Sequence, residues 1–318
     1  MTVTLENHDQ GPGSAAASRP ERARRSGLRR RDALWAAVLL APTAIGLVVF
    51  SIWPTALTFY YSFTSWGAFG GHTWSGLENY SRLVHDSELL QSLLNTAVFS
   101  LITLISVPLG IVVAALLHRP GFRGTRFYRT IYFLPAVTLP ASIALMWRLV
   151  YNGDFGPLNW ALGLVGIDGP SWLADPGTAI YALGVVSVWG SIGYNMVLFL
   201  AGMQAIPREY YEAAELDGAG TVSQFFRITI PLLTPTTFFV TVITVINALQ
   251  AFDLVFLMIG KNNPALEKSQ TVVYLFYEKG FVESHGGYAA AIAFVLLAVI
   301  LFFTAIQFRM QRRWVHYG

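Results

Sequence analysis

Long apolar stretches alternate with short polar intervals along most of the chain. Within each stretch the apolar residues fall on every side of a helix rather than on one stripe, which is typical of a segment surrounded by lipid or by other helices. About 20 helical residues cross the roughly 30 Å hydrocarbon core of a bilayer, where a helix satisfies its own backbone hydrogen bonds. The pattern predicts an all-α, polytopic membrane protein with six transmembrane helices, over residues 33–61, 93–117, 130–151, 178–203, 236–259 and 288–308.

Prolines interrupt the first three of these predicted spans. A proline lacks a backbone N–H and its ring clashes with the carbonyl four residues earlier, so it weakens the hydrogen-bond ladder of a helix. Membrane helices tolerate this better than soluble helices do. We therefore expect kinks in these spans, at or near Pro42, Pro54, Pro108, Pro135 and Pro140.

Composition supports a membrane protein and argues against an enzyme. The chain is 54% hydrophobic and 12% charged, with a mean hydropathy of +0.50, whereas soluble domains carry about 25% charged residues. It has no cysteine, which excludes disulfides, thiolate catalysis and cysteine metal sites. None of its six histidines lies in a predicted span beside a carboxylate, so neither a metal site nor a catalytic triad can be assembled in the bilayer.

Basic residues are distributed unevenly and predict the orientation. With the amino terminus in the cytoplasm, 16 of the 21 lysines and arginines fall in inner segments, and the positive-inside rule then places both termini in the cytoplasm. Seven of the arginines lie in residues 1–31. We expect this segment to be a disordered basic tail rather than a nucleic-acid reader or a signal peptide, and residues 32–318 to form the transmembrane domain.

The interval 204–231, between the fourth and fifth predicted spans, has the pattern of two short helices joined by a turn. Pro207 suits a helix start and Gly218 suits a helix stop. Thr221 followed by Gln224 has capping-box spacing, which predicts a second helix beginning at Thr221.

The same loop combines small and bulky apolar side chains. Ala213 and Ala214 leave a low surface beside the acidic Glu212, while Tyr211 and Phe225 supply aromatic rings. Such a surface can dock a partner, and the alternative is that the aromatic rings pack the loop against its own helices.

The spacing within this loop resembles the signature of binding-protein-dependent ABC importer permeases, which is Glu-Ala-Ala, three residues, Gly, nine residues, then Ile-x-Leu-Pro. The chain has Glu212-Ala213-Ala214, Gly218 and Ile228 at that spacing, and Ile230-Pro231 departs from it only by Ile for Leu. Gly76–Tyr80 and other segments are similar to carbohydrate-uptake permeases, in particular the first permease subunit of the maltose or glycerol-phosphate type. The resemblance covers about residues 33–313 and implies the type I ABC importer transmembrane fold.

The resemblance also implies partners. The chain would pair with a second, different permease subunit in a bacterial cell membrane, together with a dimer of ATP-binding subunits and an extracytoplasmic sugar-binding protein, and no nucleic acid is involved. ATP and magnesium would be bound by the partner ATPase, with no cofactor on this chain; accordingly Gly260-Lys261 lacks the glycine of a phosphate loop at Val255. The residues implied in coupling to the ATPase are Glu212, Ala213, Ala214, Gly218, Tyr211 and Phe225.

Polar side chains inside predicted spans are candidates for a solute path. Hydroxyls, amides and a flat aromatic ring suit a sugar or another polyol, but the same groups also bridge neighbouring helices. Asn247 and Gln250 lead, because the resemblance implies that this stretch of the fifth span contributes to a cavity. The candidates are Asn247, Gln250, Ser187, Trp189, Ser191, Asn195 and Asp253.

Asp253 raises two further alternatives. Near the outer end of its span it could pair with Arg148, or both charges could be exposed at the membrane interface. A stand-alone secondary transporter would need an ion-coupling carboxylate near the middle of the membrane, and only Asp253 comes close to that position.

Overall fold

The computed structural model describes residues 21–66, 70–119 and 124–314, and the chain divides into two compact units, Met1–Leu57 and Thr58–Gly318. Among the described residues, four helical stretches are long and apolar enough to cross a membrane, and two sharply bent helix pairs bring the number to six if each pair is one span. The four stretches are Trp35–Tyr61, Ser87–His118, Ala179–Gln204 and Gly286–Gln311, and the pairs are Thr125–Val137 with Pro140–Val150 and Thr221–Leu232 with Thr234–Leu249.

The first span is helical but irregular. It consists of helix α1 (Glu21–Leu47), a π-helical turn (Val48–Ile52) and helix α2 (Trp53–Tyr61). Helix α1 runs unbroken through Pro42, and the irregularity expected from the prolines is the π-helical turn directly before Pro54.

The predicted disordered tail overlaps this helix. Residues 21–31 are helical, because alanine, leucine and arginine are good helix formers that extend the apolar span backwards. Residues 1–20 of the predicted tail lie outside the described residues.

A short hairpin follows the first span. Strand β1 (Thr64–Ser65) pairs antiparallel with strand β2 (Thr73–Trp74), with Thr64 opposite Trp74. Helix α3 (Glu78–His85) fixes the hairpin, because the amide of Asn79 donates to the carbonyls of Ser62 and Thr64 at 2.9 and 3.0 Å.

The second span is interrupted where the sequence predicts a kink. It comprises helix α4 (Ser87–Thr103) and helix α5 (Ser106–His118). Asp86 caps α4 by accepting from the backbone N–H groups of Glu88 and Leu89 at 2.8 and 3.4 Å. The break at residues 104–105 lies just before Pro108, which cannot donate to the carbonyl four residues earlier.

The third span is bent far more strongly than a simple kink. Helix α6 (Thr125–Val137) and helix α7 (Pro140–Val150) meet at 100°. Leu139 is extended, with ψ of 131°, because a residue that precedes proline is disfavoured in helical conformation. Helix α8 (Pro157–Gly163) follows in the next loop.

The fourth span, helix α9 (Ala179–Gln204), is the centre of the larger unit. It packs against α4, α5 and α6 and contributes buried residues such as Leu183, Met196 and Phe199. Close approach requires glycine at Gly193, because a Cβ there would lie 1.8 Å from the carbonyl oxygen of Tyr132 in α6.

The loop after α9 contains helix α10 (Arg208–Leu216), helix α11 (Thr221–Gln224), a π-helical turn (Phe225–Thr229) and helix α12 (Ile230–Leu232). The prediction of two short helices starting near Pro207 and Thr221 is confirmed. The prediction of a capping box is wrong. The N-cap residue is Gly220, which has no side chain to form a capping bond, and the amide of Gln224 donates to the carbonyl of Ala219 at 3.1 Å.

The fifth span does not continue to residue 259 as the sequence predicts. Helix α13 (Thr234–Leu249) ends at Leu249, residues 250–252 are not helical, and helical structure resumes at residues 253–254 and continues in a π-helical turn (Val255–Ile259). The hydroxyl of Thr271 donates to the carbonyl of Ala251 at 2.6 Å, so a neighbouring segment satisfies a backbone group that the break leaves open.

The last part of the chain is tied to α4 by polar contacts. It comprises helix α14 (Leu266–Ser269), helix α15 (Val272–Tyr277), a π-helical turn (Glu278–Val282) and helix α16 (Gly286–Trp314). The ammonium of Lys279 lies 2.9 Å from Glu88 and 3.0 Å from Glu283, and the amide of Asn95 donates to the carbonyls of Glu267 and Gln270, each at 3.0 Å.

Candidate functional site

A cavity of about 390 Å³ lies between α4, α6, α9 and α13, and the break after α13 forms part of its wall. Its described lining mixes hydroxyls, amides, aromatic rings and small apolar side chains. The lining residues are Phe99, Thr103, Ala136, Ser187, Gly190, Ser191, Tyr194, Asn195, Ile243, Thr244, Asn247, Ala248, Gln250, Ala251, Phe252, Asp253 and Leu254.

Six of the seven residues predicted for the solute path line this cavity: Asn247, Gln250, Ser187, Ser191, Asn195 and Asp253. Trp189 does not. Ser187, Ser191 and Asn195 follow one another at four-residue spacing on one face of α9, and Trp189 lies on a different face. Its ring packs edge-on against Trp147 at 5.6 Å between centroids.

Three of the polar residues in the cavity wall also connect neighbouring helices. The buried amide of Asn195 donates to the hydroxyl of Ser106 at 3.0 Å, and Thr103 donates to Ser187 at the same distance. For Ser187 and Asn195, the bridging role considered from the sequence is therefore present in the structure.

Three other predicted residues have side chains without a hydrogen-bond partner in the described part of the chain. Asn247, Gln250 and Asp253 are exposed, and their side chains make no hydrogen bond or ion pair with the described part of the chain. Asp253 does not pair with Arg148; both side chains are exposed, and Asp253 lines the cavity. Two amides and a carboxylate that share one cavity offer both donors and acceptors to a polar ligand.

Sequence reasoning missed Thr103, which brings α4 into the cavity wall. The signal available was a hydroxyl within a predicted span, just before the break that Pro108 imposes. The residues predicted for the solute path all lie in the fourth and fifth spans, and Thr103 lies in the second.

The second candidate region is the 204–231 loop. Helix α10 ends in a Schellman motif, in which the N–H of Gly218 bonds to the carbonyl of Glu215 at 3.0 Å and the N–H of Ala219 bonds to that of Ala214 at 2.8 Å. Gly218 has φ of +80°, a left-handed conformation that favours glycine. The sharp turn predicted at Gly218 is therefore present.

The aromatic residues of the loop divide between packing and exposure. Tyr211 is half-buried beside the core and hydrogen-bonds to the hydroxyl of Thr229 at 3.0 Å, and Phe225 is also half-buried. In contrast, Glu212 and Ala213 are exposed, Ala214 is partly exposed, and Leu216 is 90% exposed. The loop is held to the helices by part of its aromatic surface and presents the rest of helix α10 outward.

No group of three or more histidine, cysteine, aspartate or glutamate side chains suited to a metal ion occurs among the residues that the structure describes.

Residues 106–316 match the family described as binding-protein-dependent transport system inner membrane component. The chain is 36% identical over 286 residues to the sn-glycerol-3-phosphate transport system permease protein UgpA of Agrobacterium fabrum, covering 88% of this chain and 96% of that protein. It is 34% identical over 295 residues to the probable ABC transporter permease protein YesP of Bacillus subtilis, covering 91% of this chain and 94% of that protein.

Among solved structures, the fold is similar to a chain of a bacterial ABC transporter involved in the import of the acidic polysaccharide alginate. The TM-score is 0.79 with 24% sequence identity, over 92% of this chain and 99% of that chain.

Proposed function

This chain belongs to the family of binding-protein-dependent transport system inner membrane components, and we propose that it forms half of the translocation path of an ATP-driven importer of a sugar, either an oligosaccharide or a polyol. It is a permease component of an ABC importer. Neither the family nor the named relatives support the stand-alone secondary transporter considered from the sequence.

The observation that carries the proposal is the cavity between α9 and α13. Asn247, Gln250 and Asp253 face it with unused hydrogen-bonding groups, and Tyr194 and Phe252 place aromatic rings in the same wall. Carbohydrates are bound by this combination, because amides and carboxylates match hydroxyls while a ring covers the apolar face of the sugar. We assign the solute path to these residues together with Ser187, Ser191 and Asn195.

The energy for transport is proposed to come from a separate subunit. ATP and magnesium bind to a dimer of ATP-binding subunits, and this chain contributes no phosphate loop. The exposed face of α10, with Glu212, Ala213 and Ala214, docks onto that dimer, and the turn at Gly218 allows a close approach. Tyr211 and Phe225 fix the loop to the helices, so that movement of the ATPase is transmitted to them.

Two further partners are proposed for the translocation path, one beside the cavity and one at its extracytoplasmic end. A second permease subunit closes the open side of the cavity, and an extracytoplasmic sugar-binding protein delivers the solute to the loops opposite α10. The chain is a multi-pass protein of the bacterial cell membrane with both termini in the cytoplasm, as the distribution of basic residues predicts.

Reconstitution into liposomes tests the proposal. Uptake is expected only when the two permease subunits, the ATP-binding subunits, the binding protein and ATP are all present, and omission of any one should reduce it to background. The orientation is checked by adding the binding protein on one side only. Sugar flux catalysed by this chain alone, without an ATPase or a binding protein, would refute the proposal.

A further inference from the structure

Three basic side chains converge where α5 ends and where α6 and α10 begin. His118 is the last residue of α5, Arg208 is the first residue of α10, and Arg129 lies in the second turn of α6. The guanidinium groups of Arg129 and Arg208 are both near enough to His118 to act electrostatically on its imidazole ring. We call these three residues the basic cluster.

Helix packing brings the basic cluster together. Leu117, Ile206 and Tyr211 share one hydrophobic core cluster, so the end of α5 is packed against the residues that flank the start of α10. Helix α6 packs along α9, and α9 leads directly into α10. The three elements that carry the cluster are therefore held in place by apolar contacts, independently of the charges.

The basic cluster has no counter-charge in the part of the chain that the structure describes. None of its side chains forms an ion pair or a hydrogen bond there, and the Nε atom of Arg129 is buried without a partner. No aspartate or glutamate occurs in the sequence between Glu88 and Asp154, and the exposed Glu209 and Glu212 of α10 pair with none of the three side chains. A buried donor without a partner is costly, so the cluster favours an anionic ligand.

Helix ends do not supply the missing negative charge. Helices α5 and α9 end in this region, where each carries a partial negative charge, whereas α6 and α10 begin here with partial positive charges. These contributions oppose one another. The three side chains therefore set the sign of the local potential, which is positive.

The basic cluster lies at the boundary of the membrane-spanning segments. His118 is the last residue of the apolar stretch Ser87–His118, and Arg129 lies in the first helix of the bent pair formed by α6 and α7. On the same helix, Phe127 and Ile131 are 66% and 48% exposed, as expected of a helix face that contacts lipid near the membrane interface. The lipid headgroups are therefore the nearest source of an anion.

We propose that the basic cluster binds the phosphate of an anionic phospholipid, and that the bound lipid holds α10 against α5 and α6. Guanidinium groups bind phosphate oxygens through paired N–H donors, and basic pockets between membrane helices on the cytoplasmic side bind anionic headgroups. The phosphate bridges Arg208 of α10 to Arg129 of α6 and removes the repulsion between them. The inference goes beyond the proposed function, because lipid binding does not require transport.

Native mass spectrometry of the complete, delipidated importer in detergent measures the binding directly. Phosphatidylglycerol is expected to bind more tightly than phosphatidylcholine, and the double variant Arg129→Gln with Arg208→Gln should weaken phosphatidylglycerol binding by about tenfold or more. Arg227→Gln with Arg309→Gln is the matched control. It also removes two exposed arginines, but neither of them acts on His118, so the affinity should be unchanged.

Uptake into proteoliposomes tests whether the bound lipid acts on α10. Adding phosphatidylglycerol to phosphatidylcholine vesicles should raise ATP-driven uptake several-fold in the unsubstituted importer and in the control. The double variant of the basic cluster should show the same uptake in both kinds of vesicle. Arg129→Lys keeps the charge but loses the paired donors, so it should fold normally and retain part of the stimulation.

Three results would overturn the inference. The first is equal binding of phosphatidylglycerol and phosphatidylcholine to the unsubstituted importer, and the second is equal phosphatidylglycerol affinity in the cluster variant and the control. The third is displacement of phosphatidylglycerol by excess inorganic phosphate, which would assign the cluster to a soluble phosphate. Selective phosphatidylglycerol binding without uptake in any vesicle would support the lipid site and count against the proposed function instead.

Discussion

The 204–231 loop and the cavity are built in opposite ways. The loop is one continuous segment whose shape is set by local signals: a proline before α10, a Schellman motif at Gly218 and a short helix after Gly220. The cavity is assembled from α4, α6, α9 and α13, and its lining residues extend from Phe99 to Leu254. Substitutions on the surface of the loop should therefore impair coupling to the ATPase without impairing folding. Substitutions around the cavity should impair either folding or solute transport, depending on whether the helix face they occupy is packed or faces the cavity.

The largest effect is expected from charge reversal on the exposed face of α10. Glu212→Lys should abolish ATP-driven uptake, because it places a positive charge on the surface proposed to meet the ATPase, while the amount of folded protein in the membrane stays unchanged. Asp168→Lys makes the same change of charge in the exposed loop after α8, away from α10, and should retain most activity. Normal uptake by Glu212→Lys, or an equal loss of uptake in both variants, would contradict the proposed role of the α10 surface in coupling.

The next prediction compares two glycines of α9 that lie three residues apart. Gly193→Val should prevent stable folding, because its Cβ would overlap the carbonyl of Tyr132, and forced overpacking costs about 1–3 kcal/mol or more. Nothing lies within 4 Å of a Cβ at Gly190, so Gly190→Val should fold normally and reduce uptake by narrowing the cavity. Size-exclusion chromatography in detergent measures folded protein, and similar yields of the two variants would contradict the packing described for α9.

A smaller effect is expected from two asparagines in the cavity wall. Asn195→Leu removes the buried bond to Ser106 and should lower the free energy of unfolding by about 1 kcal/mol. Asn247→Leu removes an exposed amide without a partner in the described chain, so it should leave thermal stability unchanged and lower uptake several-fold. If only Asn247→Leu lowered the stability, the bridging role described for Asn195 and the solute-binding role proposed for Asn247 would both be contradicted.

The smallest effect concerns pH and the polar contacts around Lys279. Burial acts to lower the pKa of Lys279, but hydrogen bonds to Glu88 and Glu283 outweigh it and raise that pKa above its usual value. Burial likewise opposes the contacts with Lys279 and His285 that lower the pKa of Glu283.

The signs of these shifts define a pH window. The contribution of Lys279 is present below about pH 10.4 and is lost as pH rises through its raised pKa, and that of Glu283 is present above about pH 4.3 and is lost as pH falls through its lowered pKa. Lys279→Met should lower the free energy of unfolding by about 1 kcal/mol or less at pH 7 and flatten both limits. Thermal unfolding of the unsubstituted protein and of Lys279→Met, measured across pH, tests this prediction. Identical dependence of stability on pH in the two proteins would contradict it.

The sequence predicted the loop better than the cavity, and the reason is physical. Capping and turn signals act over a few residues, so Pro207 and Gly218 were sufficient to place α10. Thr244 and Asp253 would lie about 180° apart on an unbroken helix, since nine residues make two and a half turns. They line the same cavity only because the helix ends at Leu249. There the hydroxyl of Thr271 donates a hydrogen bond to the carbonyl of Ala251 in the non-helical segment. No local sequence pattern predicts the contact between Thr271 and Ala251.

Trp189 shows the same limit. An aromatic ring suits a sugar, but the position of Trp189 relative to Ser187 and Ser191 puts it on another face of α9, against Trp147. Apolar length alone predicted the four long helical stretches and the two bent pairs as candidate spans, whereas the 100° bend between α6 and α7 depends on the geometry around Pro140.

Photo-crosslinking from α10 tests the central claim most directly. Leu216→Cys, the only cysteine of the resulting chain, is labelled with a benzophenone maleimide in the assembled importer and irradiated, with Leu164→Cys in the loop after α8 as an exposed control. We expect an adduct with the ATP-binding subunit from Leu216→Cys and none from Leu164→Cys. An importer that hydrolyses ATP but gives no adduct from Leu216→Cys, or gives one from Leu164→Cys, would contradict it.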